Sequence, residues 1–114
     1  MIAVLFEAIL LDGKKPEYIE LATNLKEELN KIEGFISIER FQSIQHPEKL
    51  LSLSFWKNEE SITQWRNITE HRQVQSYSRS EIFKHYRLRV ASIIRDYTID
   101  DRNQAPADSN QNHQ

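Results

Sequence analysis

The chain has 114 residues, which suits one domain and is too short for a TIM barrel, a kinase or a two-domain dehydrogenase. Its 15 basic and 17 acidic residues give a formal net charge of −2, so no strong field of either sign favours nucleic acid or an anionic membrane as a partner. The lack of cysteine excludes disulfides, thiol nucleophiles, zinc fingers and iron–sulfur clusters. Hydrophobic residues at 39% and charged residues at 28% are typical of a soluble globular domain.

The N-terminal segment predicts a buried β-strand. Residues 2–10 form an almost continuous apolar run, which the turn pair Asp12-Gly13 ends. The run contains Glu7, lacks the basic start of a secretory signal and is too short to cross a bilayer. We therefore expect a strand rather than a signal or an anchor, and a cytoplasmic protein.

A helix and a β-hairpin are expected next. Apolar residues at helical spacing predict a helix over residues 16–33, with Gly34 as its stop. Residues 35–43 and 49–56 alternate apolar and polar side chains, and a short polar connection with Pro47 joins them. This pattern indicates two antiparallel strands.

Two short helices are predicted after the hairpin. Asn58 can cap the first helix, whose apolar side carries Trp65. Thr69 can cap a second helix, which we expect from Glu70 to about Ser78.

A last strand and a tail complete the chain. Residues 85–97 alternate, with Tyr86 on one predicted face and Arg87 and Arg89 on the other. Residues 99–114 contain almost no apolar side chain, so burial cannot offset the entropy of ordering them. The sequence therefore predicts one domain over residues 1–98 and a disordered C-terminal tail over residues 99–114.

The order of these elements predicts the architecture. Strand, helix, strand, strand, helix pair and strand make the βαββα(α)β pattern of an α+β, ferredoxin-like domain, a four-stranded antiparallel sheet with helices on one face. The first strand is apolar on both faces, so the sheet face without helices needs a partner. A two-fold homodimer that packs sheet against sheet meets this need and predicts a dimeric α+β barrel.

Five segments carry a resemblance to a known family: GFISIERFQS (34–43), LLSLSFW (50–56), WRN (65–67), EHR (70–72) with Gln75, and YRLRVA (86–91). Through them the chain, over residues 1–97, resembles the antibiotic biosynthesis monooxygenase domain family of the dimeric α+β barrel superfamily. The resemblance implies a cofactor-independent monooxygenase that uses molecular oxygen, without metal or flavin, on a small electron-rich aromatic such as a quinol or phenol. The alternatives are a non-enzymatic dimer that binds an aromatic ligand or serves in a stress response, and a purely structural self-associating domain.

The resemblance also implies a site. It places Trp65 where a flat aromatic substrate would stack. His71 shares a helix face with Gln75, and an imidazole of ordinary pKa, about 6.5, can take a phenol proton. We expect Trp65 and His71 to be catalytic. The expected substrate-binding residues are Asn67, Arg72, Gln75, Tyr86 and Arg89.

Each of these residues also has a structural interpretation. Trp65 can be a core aromatic that anchors its helix. His71 can cap a helix or pair with Glu70 or Glu39. The arginines of the last strand can form ion pairs with Glu39, within one subunit or between two, since an unpaired buried charge is costly.

Neither a metal nor a haem is expected. The four histidines are scattered without the spacing of metal ligands. With Trp65 aligned to the haem-degrading members of the family, their axial histidine would fall at Gln75, and the asparagine of their first strand near Phe6 or Glu7. Only Trp65 matches, so haem degradation is not expected.

Overall fold

The computed structural model of the chain describes the backbone of residues 1–71 and 82–111, and the side chains of residues 1–67 and 82–110. Its elements are β1 (Ile2–Leu10), α1 (Lys15–Asn30), β2 (Phe35–Gln42), β3 (Lys49–Trp56), α2 (Glu59–His71), β4 (Phe83–Ser92) and α3 (Ala107–Gln111). The order of the first six elements confirms the predicted ferredoxin-like α+β fold.

One antiparallel sheet holds the strands in the order β2-β3-β1-β4, so β2 and β4 are the edges of the described sheet. Val4 of β1 lies opposite Ser54 of β3 and Val90 of β4. The pairing of β1 with β4 stops where Ile2 meets Ser92, because β1 begins there. As a result β4 ends at Ser92, and the prediction that it continues to residue 97 is wrong.

Alternate side chains of the strands divide between the two faces of the sheet. Even-numbered residues of β1 and β3, such as Phe6 and Leu50, face α1 and α2 and pack in the core. Neither α1 nor α2 packs on the opposite face. We call it the outer face and define it by Leu5, Glu7, Leu51, Leu53, Phe55, Arg87 and Arg89.

Two apolar clusters fill the space between the helices and the sheet. One contains Ala8, Leu10, Tyr18, Leu50 and Ile82, and the other contains Leu29, Ile32 and Trp56. Trp56 is 2% exposed, and its indole Nε1 donates a hydrogen bond to the Oγ of Ser54 at 2.9 Å. The second cluster also contacts Trp65, so it joins α1, β3 and α2.

Helix α1 is shorter than predicted. Pro16 lies in its first turn, where the missing N–H costs nothing. The helix ends at Asn30 rather than at residue 33, and a turn leads to Gly34, whose φ is 93°. A β-carbon at Gly34 would collide with the Oγ of Ser61, so both the backbone angle and the packing require glycine there.

Helix α2 begins as predicted and ends differently. The backbone N–H of Ser61 donates to the Oδ1 of Asn58 at 3.0 Å, which confirms the cap. The helix runs through Thr69 to His71, so the predicted break at Thr69 is wrong, since a continuous helix needs no cap at that point. The rest of the predicted second helix lies outside the described residues.

The chain continues after β4 in residues 93–111, which contain turns and the short helix α3. The N–H of Ile93 donates to the carbonyl of Met1 at 3.0 Å and so joins the start of this segment to the sheet. The predicted domain boundary after residue 98 and the predicted disorder of residues 99–114 stay predictions.

Candidate functional site

A cavity of about 400 Å³ lies between the sheet and helices α1 and α2. This volume is in the range of small-molecule pockets. All four strands and both long helices contribute side chains to its lining, and most of these side chains are aliphatic or aromatic. Apart from two tyrosines, the polar lining residues are Arg40, Ser52, Ser54 and Arg66.

The polarity of the cavity changes across the sheet. Arg40 lies on the edge strand β2, opposite Ser52 of β3. At the other edge, Leu88 of β4 lies opposite Phe6 of β1. One end of the cavity floor therefore offers a cation and hydroxyl groups, and the other end offers apolar surface.

Aromatic side chains crowd the apolar end. The ring centroid of Phe6 is 5.4 Å from that of Phe83 and 5.4 Å from that of Tyr86. The ring of Tyr18 lies 5.8 Å from that of Phe83 in an edge-to-face arrangement. These distances are typical of favourable aromatic contacts. Because the same rings line the cavity, they offer packing surface to a flat apolar ligand.

The charged lining residues are both cationic. Arg40 and Arg66 line the cavity, and no acidic residue in the described part of the chain does. Both arginines are exposed. A guanidinium group binds a carboxylate or phenolate oxygen by charge-assisted hydrogen bonds. The cavity therefore suits an apolar ligand that carries an anionic group.

Four of the predicted site residues can be placed. Trp65 and Tyr86 line the cavity. Asn67 is exposed and is not among the lining residues. Arg89 lies on the outer face, where its Nη1 is 3.5 Å from the Oε1 of Glu7. The structure thus brings two of these four residues to the cavity and places Arg89 on the other side of the sheet.

The other predicted residues fall at or beyond the end of α2. His71 is the last residue of the helix, and its side chain lies outside the described ones. Arg72 and Gln75 lie outside the described residues altogether. The catalytic and binding roles of all these residues stay predictions.

One structural interpretation of the arginines is wrong. An ion pair within one subunit between Glu39 and the last strand cannot form, because β2 and β4 are opposite edges of the sheet, roughly 14 Å apart at the usual strand spacing. Glu7 on the central strand β1 takes this place and lies 3.5 Å from Arg89 and 3.5 Å from Lys49. A pair with Glu39 between subunits stays a prediction.

Several lining residues were not proposed from the sequence. Ser52, Ser54 and Trp56 share one face of β3, which the alternation in LSLSFW indicates. Two serines on the buried face of an apolar strand are a signal of a polar patch in a pocket. Arg40 is harder to assign to a pocket from the sequence. Side chains of a strand alternate between two faces, and an arginine in such a pattern also fits the face exposed to solvent.

Residues 1–71 and 82–111 offer neither a metal site nor a membrane span. No group of three histidine, aspartate or glutamate side chains is placed to hold a metal ion. No helix in this part of the chain is both long and apolar enough to cross a bilayer.

Comparison with known proteins identifies relatives of this chain. The sequence model of the family described as "Antibiotic biosynthesis monooxygenase" matches residues 1–77. A relative from Pyricularia oryzae named "Jasmonate monooxygenase ABM" is 37% identical over 93 residues, which cover 82% of this chain and 43% of the relative. The chain thus spans less than half the length of that relative.

Solved structures share the fold. A conserved protein from Methanosarcina mazei is 26% identical, with a TM-score of 0.70 over 79% of this chain and 89% of that one. A MhuD variant with two manganese protoporphyrin IX molecules per active site has a TM-score of 0.67 over 86% of this chain and 99% of its own. At 12% identity, the second likeness shows the fold alone.

Proposed function

Because the chain belongs to the antibiotic biosynthesis monooxygenase family, we propose that it is a monooxygenase acting on a small electron-rich aromatic, a quinol or a phenol. It uses molecular oxygen as co-substrate, without metal or flavin. The observation that carries this proposal is the cavity of about 400 Å³ between the helices and the sheet, with aromatic walls and two arginines in its lining.

The proposed reaction balances without an external reductant. A quinol gains one oxygen atom on its ring and becomes a hydroxyquinone, and the second oxygen atom leaves as water. The substrate itself supplies all the electrons. Removal of a phenolic proton makes the first electron transfer to oxygen easier, because a phenolate is a better electron donor than a phenol. His71 is the predicted base for this step.

The described residues support three parts of this reaction. The aromatic group of Phe6, Phe83 and Tyr86 offers packing surface for the substrate ring. The largely apolar lining offers the substrate ring few polar groups to compete with ring packing. Arg40 and Arg66 favour the phenolate over the phenol, because a nearby cation stabilises the charged form.

A carboxylate-bearing ring compound is the second candidate substrate. Two observations favour it: the two arginines in the lining, and the name of the Pyricularia oryzae relative, which denotes a carboxylate substrate. Hydroxylation of a ring that carries no phenolic hydroxyl group needs an added reductant to form water, because such a ring cannot supply the electrons by becoming a quinone. The two candidates therefore differ in their requirement for one.

Oxygen uptake tests the proposal. The wild-type protein, in buffer with a metal chelator, should consume oxygen with at least one member of a quinol panel and release the hydroxyquinone. Leu88→Trp should abolish this activity by filling the cavity from β4. The matched control is Ile36→Trp, a half-exposed residue on the other edge strand that does not line the cavity. Binding without oxygen uptake would favour the non-enzymatic alternative.

A second arm separates the candidate substrates. Arg40→Leu should weaken the binding of a cyclic carboxylate more than that of a neutral quinol, whereas Arg87→Leu on the outer face should change neither. Oxidation of the carboxylate only when ascorbate is added would support the second candidate.

The proposal also includes a homodimer that forms through the outer face. Leu5, Leu53 and Phe55 lie there, on the side of the sheet opposite α1 and α2. Packing two such faces against each other across a two-fold axis would remove this apolar surface from water. A cytoplasmic location completes the proposal, and fractionation of cells that produce the chain tests it.

A further inference from the structure

Ser52 carries a buried hydroxyl that the fold itself does not use. Its side chain lines the cavity and the residue is only 7% exposed, yet no hydrogen bond to its Oγ is found among the described residues. No wholly enclosed side-chain oxygen or nitrogen in that part of the chain lacks a partner, so this Oγ still reaches open space, which is the cavity. A buried hydroxyl normally has a hydrogen-bond partner. The partner of Ser52 therefore comes from the molecule that fills the cavity.

A cation stands beside this hydroxyl. Arg40 of β2 lies opposite Ser52 and also lines the cavity, and neighbouring strands are about 4.8 Å apart. No carboxylate in the described part of the chain forms an ion pair with Arg40, and Glu39 next to it lies on the outer face, opposite Leu53. A guanidinium group and a hydroxyl donor at one place suit an anionic oxygen group.

Strand pairing extends these two residues into a row across the sheet. Ser52 lies opposite Phe6 of β1, and Phe6 lies opposite Leu88 of β4. All of them line the cavity. Along this row the cavity floor changes from a cation and a hydroxyl to an aromatic ring and then to an aliphatic side chain. We call it the crosswise row and define it by Arg40, Ser52, Phe6 and Leu88.

The rows on either side do not offer the same groups. One of them contains Ser54, whose Oγ already accepts the hydrogen bond from Trp56. The other contains Leu50 and Gln42, and the Gln42 side chain donates to a backbone carbonyl of the hairpin turn. Among the described strands, the crosswise row alone therefore places a hydroxyl without a partner beside a cation on the cavity face.

From this arrangement we infer that Ser52 and Arg40 hold one anionic oxygen group of the substrate, while Leu88 contacts an apolar substituent on the opposite side of the substrate ring. The ring lies over Phe6. Ser52 thereby determines specificity: it selects a single ring with an anionic oxygen group, a carboxylate or a phenolate, at one end and an aliphatic group para to it. This inference rests on the proposed function, whose cavity it uses, and adds the direction in which the substrate lies.

The dimensions of the row fit such a molecule. Ser52 and Leu88 are two strand spacings apart, about 10 Å. A benzene ring with an oxygen group and a short alkyl chain in para positions has a similar length. The ortho isomer carries the same groups and the same charge, but it cannot reach both ends of the row at once. The affinity difference between the two isomers therefore reports the direction of binding.

Calorimetric titration with propylbenzoates measures this binding without oxidation, since their rings carry no phenolic hydroxyl. The wild type should bind 4-propylbenzoate about fivefold or more tighter than 2-propylbenzoate. Ser52→Ala should weaken 4-propylbenzoate about tenfold, because a hydrogen bond to a charged group is lost, and should leave the neutral 4-propylanisole unchanged. The matched control is Ser37→Ala, an exposed serine opposite Phe55 on the outer face, which should change neither affinity. A melting curve of each variant shows that it is folded.

The two ends of the row are tested separately. The double variant of Ser52→Ala with Arg40→Leu should lose clearly less affinity for 4-propylbenzoate than the product of the two single losses, because both side chains contact one oxygen group. Leu88→Ala should weaken 4-propylbenzoate and leave unsubstituted benzoate unchanged. A parallel titration with 4-propylphenol separates the two oxygen groups: a loss in Ser52→Ala for the benzoate alone assigns the subsite to a carboxylate, and a loss for the phenol as well extends it to a phenolate.

The outcomes separate this inference from the enzymatic proposal. Equal affinities of the two isomers for the wild type, an unchanged affinity of 4-propylbenzoate in Ser52→Ala, or no binding of that compound at all would overturn the inference. Any of these results in a protein that oxidises quinols would leave the proposed function standing. The expected binding pattern in a protein that oxidises no quinol would support the subsite and refute the enzymatic proposal.

Discussion

Replacing Ser54 with alanine should destabilise the protein more than the same change at Ser52. Both serines are buried on the helix-facing side of β3, and each substitution removes one oxygen atom. They differ in one contact. The Oγ of Ser54 accepts the hydrogen bond from Nε1 of Trp56, whereas no hydrogen bond to the Oγ of Ser52 is found among the described residues.

The expected size follows from the burial of Trp56. Loss of the acceptor leaves an indole N–H without a partner in a side chain that is almost wholly enclosed, which costs about 1–3 kcal/mol. For a domain of this size, each kcal/mol lowers the Tm by about 4 °C. Ser54→Ala should therefore lower the Tm by about 4–12 °C. Ser52→Ala should change the free energy of unfolding by less than about 0.5 kcal/mol.

Urea unfolding followed by tryptophan fluorescence measures both variants. Because Trp56 also lines the cavity, Ser54→Ala should weaken ligand binding as well, and calorimetric titration with the best quinol measures that effect. Equal stability losses in the two variants would refute the idea that this hydrogen bond holds the indole ring. A normal affinity in a destabilised Ser54→Ala variant would show that the ring keeps its place without the bond.

Three further predictions concern the turn, the cavity and the assembly. Gly34→Ala should lower the free energy of unfolding by about 1–3 kcal/mol in urea titrations, because of the positive φ and the contact with Ser61 Oγ; a neutral result would contradict the turn geometry. Trp65→Phe should keep the fold by circular dichroism and weaken quinol binding in calorimetry, since it loses ring surface in the cavity; unchanged affinity would place the ligand elsewhere. Sedimentation at micromolar concentration should give twice 13.6 kDa, and a mass near 13.6 kDa would contradict pairing through the outer face.

The strands could be predicted from the sequence because their signal is local. The predicted bounds of the first strand and of the strand over residues 49–56 match β1 and β3 residue for residue. A continuous apolar run is sufficient to predict β1, and a strict alternation of apolar and polar side chains is sufficient to predict β3. Each pattern is complete within the strand itself. The end of β4 could not be predicted in this way. It depends on where β1 begins, a contact between distant parts of the chain.

The cavity could be predicted only in part, because it depends on strand order. Trp65 was expected from its place on a helix that covers the sheet. To predict that Arg40 lines the cavity, one has to know that β2 is an edge strand beside β3. Only that pairing places the Arg40 side chain on the same face as Ser52. The sequence predicts the strand of Arg89 but not which face of that strand meets the cavity. Its pairing with Leu5 places it on the outer face.

The two faces of β1 connect the cavity with the proposed interface. Phe6 points into the cavity and Glu7, the next residue, points to the outer face between Arg89 and Lys49. A shift of one residue in the pairing would exchange these faces, bury Glu7 in the apolar cavity and expose Phe6. Because a buried carboxylate without a partner is strongly unfavourable, the ion pairs of Glu7 and the aromatic contacts of Phe6 select the same register. The geometry of the cavity and the surface offered to a second copy are therefore fixed by one set of strand pairings, and neither can change without the other.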